Sequence, residues 1–388
     1  LGDIAEIFDG PHATPKKIDD GPWYLSISSL IDGRLDLSLS AHISKNDYKI
    51  WTKRVIPKAG DIVFSYETRI GQAAIISDEM QCALGRRMGL LRLNKEMIDP
   101  EYAIYAYLGP EFQETIRIHT IHGSTVNRIL LTEMGKFPIM IPPFPEQRKI
   151  AAILSTWDKA IAKTEQLIAA LQARKKGLMQ RLLTGEVRFP GCDGEWKPRK
   201  LGELVKPIAR KEAIDPEKEY AFLGVKLYVA GAHIHETVPG RKIATSSLSR
   251  IEQNDIVYNK MWVRKNAFAI AQKEHHGAYS STEYPQFVAN PEKLVTNYLG
   301  FLFHNQRFQY DAQRLCRGTT GRARLNPSDF LEIEVCIPKI GEQQKVADFL
   351  ETCENEINLQ NQKLVALQQQ KKGLMQRLLT GQVRVKVN

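Results

Sequence analysis

Eleven consecutive residues, Lys175-Lys176-Gly177-Leu178-Met179-Gln180-Arg181-Leu182-Leu183-Thr184-Gly185, recur without a change at Lys371–Gly381, an offset of 196 residues. The same offset, with no gap, pairs Ile141-Pro142 with Ile337-Pro338, Glu146-Gln147 with Glu342-Gln343, Lys149 with Lys345, Leu154 with Leu350, and Ile161 with Ile357. One segment is therefore used twice. That commits the chain to a duplicated architecture in which each copy finds an equivalent place to pack.

Each copy reads as a long helix. Ile150, Leu154, Trp157, Ile161, Thr164, Ile168, Leu171, Lys175, Leu178 and Leu182 follow alternating steps of four and three, and so do Val346, Leu350, Cys353, Ile357, Gln360, Leu364, Leu367, Lys371, Leu374 and Leu378. The stripe turns polar at the same two steps in both copies, which suggests one shared packing scheme, since a polar group in such a seam fixes register at some cost in stability. Pro142, Pro143 and Pro145 suit a helix start, and Gly185 and Gly381 suit a left-handed C-cap. About 39 residues at a rise of roughly 1.5 Å make a rod on the order of 58 Å, longer than one turn of DNA at roughly 34 Å. Helices that pair while returning the chain must run antiparallel. A lone heptad stripe would suggest only a dimerisation coil, but an ungapped duplicate beyond an intervening domain favours an internal pair.

Fainter echoes extend the duplication into the globular regions. Leu1-Gly2-Asp3-Ile4 matches Leu201-Gly202-Glu203-Leu204, Gly60-Asp61-Ile62-Val63-Phe64 matches Asn254-Asp255-Ile256-Val257-Tyr258, and Gly123-Ser124-Thr125 matches Gly318-Thr319-Thr320. The spacing predicts short strands over 61–64, 73–76 and 89–93, a helix around 101–118 and a closing strand over 136–141. The expected fold class is α/β (mixed α+β): two similar domains separated by two long antiparallel coiled-coil helices, in a pseudo-twofold internal repeat. The expected boundaries are 1–145 for the first domain, 146–186 for the first helix and 187–199 for a linker. The second domain follows over 200–341, the second helix over 342–381 and a tail over 382–388. Because Thr380–Val385 resembles Thr184–Phe189, the tail is expected to dock beside the first domain, bringing Leu1 and Asn388 within roughly 30 Å.

A chain of 388 residues affords two cores. No stretch approaches the roughly 18 to 20 apolar residues of a membrane helix. The N-terminus lacks the basic and apolar regions of a signal peptide, so the expected location is cytoplasmic with no membrane partner. Cys82, Cys192, Cys316, Cys336 and Cys353 stand singly and read as reduced, buried thiols. A net charge of +10 favours a polyanionic partner. Catalytic motifs are missing where they would be sought. Pro142-Pro143-Phe144 follows Ile141, which cannot hold a target amine as the Asn or Asp of an amino-methyltransferase does, and no GxxxxGK[ST] phosphate loop occurs. Glu195-Trp196-Lys197 resembles the end of a nuclease metal motif but lacks a preceding acidic strand residue and falls in the linker. His275-His276 and the separated histidines have no metal-ligand spacing and read as surface residues. The expectation is a chain with no catalytic or metal site.

The twice-repeated pattern of Ile-Pro, Glu-Gln, heptad helix and Lys-Lys-Gly-Leu-Met-Gln-Arg-Leu-Leu-Thr-Gly resembles the specificity subunits of Type I restriction–modification systems over essentially the full length. In that family each variable domain recognises one half of a split DNA sequence, and the helices act as spacer and docking site for two modification subunits. The resemblance implies double-stranded DNA and two modification (methyltransferase) subunits as partners, with restriction (translocase/nuclease) subunits as further ones. It also implies no cofactor in this chain, with S-adenosylmethionine, ATP and Mg²⁺ used by the partners. Ile150, Leu154, Trp157, Ile161, Ile168, Leu171, Leu178, Leu182, Val346, Leu350, Cys353, Ile357, Leu364, Leu367, Leu374 and Leu378 would form the helix-pair core. A stand-alone DNA-binding coiled-coil protein would carry the same charge and helices, and stable association with a methyltransferase separates the two readings.

Base readout needs paired donors and acceptors at a groove edge, with Arg to guanine and Asn or Gln to adenine the usual choices. In the first domain the candidates are Ser65, Thr68, Arg69 and Gln72 after a predicted strand, Arg86 and Arg87 after Gly85, and His122, Ser124, Thr125, Asn127 and Arg128. In the second they are Asn259, Lys260, Trp262, Arg264 and Lys265, then Thr282 and Tyr284, then Arg317, Thr319, Thr320, Arg322 and Arg324. The Gly-Ser-Thr and Gly-Thr-Thr turns suit phosphate through backbone N–H groups and hydroxyls, or they merely shape a turn. Trp262 is suited to wedge against a base or to pack.

Overall fold

The computed structural model describes residues 1–76, 79–123, 126–318 and 323–386. The chain divides into two compact units, residues 1–166 with 361–388 and residues 167–360. Each unit thus combines one globular domain with one half of each long helix.

Unit 1 is built on a four-stranded antiparallel sheet of β1 (Ala5–Asp9), β2 (Ile62–Ser65), β3 (Ala73–Ile75) and β4 (Met88–Leu93), in the order β1-β4-β2-β3. Its central strand β2 is buried on both faces because both are covered. Ile62 and Phe64 enter one core together with Ala73, Leu91 and Leu93, while Val63 enters a second with Ala74, Met88 and Leu90. This is the period-two rule applied to a central strand. The first core is closed by helices α1 (Pro100–Leu108) and α2 (Pro110–Ile118) and by Ile150, Ala151, Leu154, Leu378 and Leu379 of the long helices. The second core is closed by a small three-stranded sheet of Ile18–Tyr24, Ala41–His42 and Cys82–Ala83.

Unit 2 repeats this plan with β5 (Val205–Ile208), β6 (Ile256–Tyr258), β7 (Phe268–Ile270) and β8 (Gln286–Ala289), in the order β5-β8-β6-β7. Ile256 and Tyr258 face an aromatic-rich core with Phe268, Phe287 and Phe330, and Val257 faces Ala267, Ala269 and Ala271 on the other side. The first of these cores is closed by α4 (Thr296–Leu302) and α5 (Gln306–Arg314). Divergence is concentrated in the second sheet, which here has five strands and contains the hairpin Glu219–Val225 with Ala232–Pro239.

The repeated landmarks have physical reasons. Asp61 and Asp255 are buried, and each binds an arginine: Arg92 at 2.7 Å and Arg210 at 2.6 Å. Each also accepts a backbone N–H, from Lys58 and Glu252 respectively. The residue before each adopts positive φ, +89° at Gly60 and +71° at Asn254, a conformation that Gly and Asn tolerate best. Gln147 and Gln343 are each 1% exposed. The Gln147 amide donates to the carbonyls of Met97 and Pro142 and accepts from Asp99 N–H; that of Gln343 donates to Lys293 and Pro338 and accepts from Val295 N–H. The neighbouring glutamates hold the segments beyond the helix ends: Arg384 pairs with Glu146 at 2.6 Å within unit 1, and Arg188 with Glu342 at 2.7 Å within unit 2. Val383 and Val385 pack against the core that contains Leu1, while Asn388 lies outside the described residues.

The long helices span Phe144–Leu182 (α3) and Ile340–Leu379 (α6), two residues earlier at their starts than the spacing suggests. Every stripe residue is buried or half-buried. Within unit 1 the polar step Lys371 pairs with Asp158 at 2.6 Å, and its ammonium lies 5.5 Å from the Tyr105 ring centre. Within unit 2 Lys175 pairs with Glu354 and lies 5.7 Å from the Phe301 ring. The two helices run antiparallel in each unit. Both lysines therefore extend from the seam to a carboxylate on the facing helix.

Four expectations are corrected. The helix expected over 101–118 is two, because Gly109 is extended and Pro110 begins α2. Residues 136–141 form no strand, whereas their counterpart Glu334–Ile337 does, by pairing with Lys197–Lys200 across the end of the expected linker. In unit 1 the equivalent edge makes bonds from the Leu1 nitrogen to Phe137 and Gly135 carbonyls. Only Cys82 and Cys353 are fully buried; Cys192 and Cys316 are half-buried and Cys336 is exposed. His275 is buried, its Nδ1 accepting from Gln272 N–H in a tight turn.

Candidate nucleic-acid interface

In unit 1, β2 delivers the chain into the loop 66–72 at the end of the sheet where β4 begins. Tyr66 turns inward, 5% exposed, and its hydroxyl donates to Asp9 at 2.8 Å. Burial, and then that carboxylate, push the phenol well above its usual range, so it stays a neutral donor. Glu67 forms a bridge to Arg128 and an ion pair with Arg87 at 2.6 Å, while Tyr66 carbonyl accepts from Ile129 N–H. The three predicted clusters of this domain therefore meet. Gly85, ahead of Arg86 and Arg87, packs against the Leu25 backbone, where a Cβ would stand 2.0 Å from the carbonyl oxygen. Thr68, Arg69, Arg86, His122, Asn127 and Arg128 are exposed around this junction, and Gln72 is half-buried at the foot of the loop.

In unit 2 the corresponding loops meet in the same way. Lys260 N–H donates to Glu283 carbonyl at 3.1 Å, Lys260 carbonyl accepts from Leu325 N–H at 3.1 Å, and Arg324 pairs with Glu283 at 3.1 Å. Arg264, Lys265, Thr282, Arg317 and Arg324 are exposed. Arg317 reaches Asp329 at 2.5 Å, although its side chain remains 75% exposed.

Several candidates serve structure instead. Ser65 is fully buried and its hydroxyl donates to Glu67 carbonyl, closing the turn after β2. Asn259 is 8% exposed and its side-chain oxygen accepts from Met261 and Trp262 N–H groups. Tyr284 packs against the second core of unit 2. Arg87 is committed to Glu67. Trp262 does not pack inside: it is 44% exposed, with the Lys265 ammonium 5.1 Å from its ring centre. Ser124, Thr125, Thr319, Thr320 and Arg322 lie outside the described residues. Sequence reasoning missed the acidic partners Glu67 and Glu283, which join the loops, and it missed Tyr228, 68% exposed on a loop bonded to the 259–266 loop. The turn sequence Tyr228-Val229-Ala230-Gly231 was the available signal.

Among the described residues no group of three or more His, Cys, Asp or Glu side chains could hold a metal ion, and no helix is long and apolar enough to cross a membrane. A duplicated sheet-and-helix unit, with basic loops gathered at one end of each sheet and two long shared helices, defines a two-module protein suited to reading a polyanion. The family model for the Type I restriction modification DNA specificity domain matches residues 1–173 and 193–369. The chain belongs to that family, and it is a DNA-recognition subunit. It is 25% identical to the Type I restriction enzyme MjaVIII specificity subunit of Methanocaldococcus jannaschii, covering 94% of this chain and 86% of that protein. The solved S subunit of a Type I restriction-modification system from M. genitalium matches at TM-score 0.58 and 14% identity, covering 97% of this chain and 94% of that one. A chain from a type I R-M system solved for its complex assembly and conformational transition matches at TM-score 0.60 and 15% identity, covering 98% and 97%. At such identities the structural likeness speaks for the fold alone.

Proposed function

We propose that each unit reads one half of a bipartite DNA target, while the long helices set the spacing and dock two modification subunits. The observation that carries this reading is the convergence, in both units, of three loops at the same end of the same four-stranded sheet, with Arg69, Arg86 and Arg128 exposed in one and Arg264, Lys265 and Arg324 in the other. Such loops can combine phosphate positioning with guanidinium contacts to base edges. The helices supply a different surface. Their stripe is consumed by packing, and the duplicated outer residues, such as Lys176 with Lys372 and Arg181 with Arg377, offer the same face twice to a partner present in two copies. The chain itself takes no cofactor; S-adenosylmethionine, ATP and Mg²⁺ belong to the modification and restriction subunits of a cytoplasmic complex. The test is the mass of the chain mixed with its candidate modification subunit, followed by selection from a randomised duplex pool at stated salt. A complex with two modification subunits per chain that selects a split sequence supports the reading. A chain that stays alone, or selects one continuous site unaided, is an independent DNA-binding protein.

A further inference from the structure

Unit 2 exposes two aromatic side chains on adjoining loops beside its basic cluster. Tyr228 is 68% exposed, Trp262 44% and Met261, which precedes it, 39%. The loops are not loose. Tyr228 N–H donates to Lys265 carbonyl at 2.7 Å and Val229 N–H to Asn266 carbonyl at 2.8 Å, while Asn259 caps the turn that carries Trp262.

The backbone is also held in an unusual shape. Tyr228, Val229 and Asn266 have φ of 59°, 55° and 53°, and a β-branched residue at positive φ is a steric outlier that the surroundings must enforce. Val229 packs against the aromatic core, which anchors the strained pair and leaves Tyr228 outside. Lys226, Arg264 and Lys265 are exposed alongside. Aromatic rings displayed on a braced loop amid cations match what wedging proteins present to stacked bases. The equivalent loop of unit 1 carries no such ring: Tyr66 is turned inward on Asp9, and Thr68 and Arg69 point out.

We propose that Trp262 and Tyr228 form an aromatic wedge that inserts at a base step of the half-site read by unit 2. That half-site is then selected partly by how cheaply the step unstacks, whereas unit 1 relies on guanidinium contacts. The wedge rests on the DNA-reading function above and adds its mechanism for one half of the target.

The experiment uses the full chain, in its complex with the modification subunit, and the duplex selected from the random pool. Trp262→Ala is expected to weaken binding to the intact duplex by roughly 10- to 100-fold, the scale of losing a stacked base, and Trp262→Phe to retain most of it. Tyr228→Gly, which keeps the left-handed backbone, should give a smaller loss. Single mismatches are then scanned along the duplex. At one step within one half-site, the mismatch should tighten wild-type binding more than Trp262→Ala binding and so enlarge the deficit, because only the inserted ring has to unstack that step. A deficit equal at every mismatch position, or a Trp262→Ala chain that binds the intact duplex like wild type, overturns the wedge while leaving the DNA-reading function intact. Failure of the wild-type complex to select any split duplex overturns that function, and the wedge with it. Unchanged thermal unfolding of the variants excludes misfolding as the cause.

Discussion

Replacing Gln343 by Met tests the reason why a Glu-Gln pair opens both long helices. Gln343 is 1% exposed, and its amide makes three bonds to backbone: it donates to Lys293 and Pro338 carbonyls at 3.0 Å and accepts from Val295 N–H at 3.0 Å. Methionine has similar volume, so the cavity contribution is small. What is lost is the bonding. A hydrogen bond contributes about 1 kcal/mol net, and a donor or acceptor left buried and unpaired costs about 1–3 kcal/mol. The Pro338 bond is fully buried and the other two are partly reachable by water, which places the total at roughly 3 kcal/mol. For a unit of this size that corresponds to a fall in Tm of roughly 6–12 °C. Calorimetry reads the loss, and amide exchange reads its location: Val295 N–H should exchange faster, with Asp99 N–H in unit 1 unchanged. Gln147→Met should produce the mirror result. A loss below about 1 kcal/mol, or unchanged protection at Val295, would refute the assignment of these glutamines as staples between helix start and domain.

Lys371→Met leaves Asp158 with only the Tyr105 hydroxyl in a site where both ion-pair partners are under 15% exposed, so a loss of about 3 kcal/mol is expected, largely recovered by adding Asp158→Leu in a double-mutant cycle. Lys175→Met should cost only about 1 kcal/mol, because Glu354 is 44% exposed. The Arg384 guanidinium beside Glu146 holds its carboxyl below the usual carboxylate range. That contribution is therefore present above the unfolded carboxyl value and lost as pH falls through the lowered folded one; Arg384→Ala should move the Glu146 resonance midpoint upward in an NMR titration and make unit 1 less pH-dependent in acid. Arg69→Ala and Arg128→Ala should each reduce the slope of log affinity against log salt by about 1 if they contact phosphate, whereas loss of preference at one base position marks a base contact.

Much of the helix pair was legible in the sequence because a heptad stripe is a local property. Ile150, Leu154, Leu182, Val346 and Leu350 are buried, in cores that they share with the globular domains, and at one of the two shared polar steps Lys175 and Lys371 reach across to carboxylates. The clustering of loops was partly legible, since the candidates follow the same strands in both domains. The role of each side chain within those loops was not. Ser65 and Asn259 carry hydrogen-bonding groups that suit a base edge, yet both are spent on their own turns, and the role of Glu67 and Glu283 in joining the loops has no local signature, because a carboxylate does not suggest DNA. The failure at 136–141 is of the same kind. The segment resembles Glu334–Ile337, but a strand exists only where another segment completes its ladder, and Lys197–Lys200 does this in unit 2.

The sequence by itself determined that the chain is a duplication and that two long helices carry the repeated motifs, because these follow from period and identity. Only the tertiary structure decided which arginines are free and which are tied to Glu67, Glu283 or Asp329, and that Trp262 and Tyr228 face outward while Tyr66 faces in. Those outcomes depend on which residues, distant in the chain, the folded loops bring within a few ångströms, and neither period nor composition encodes that proximity.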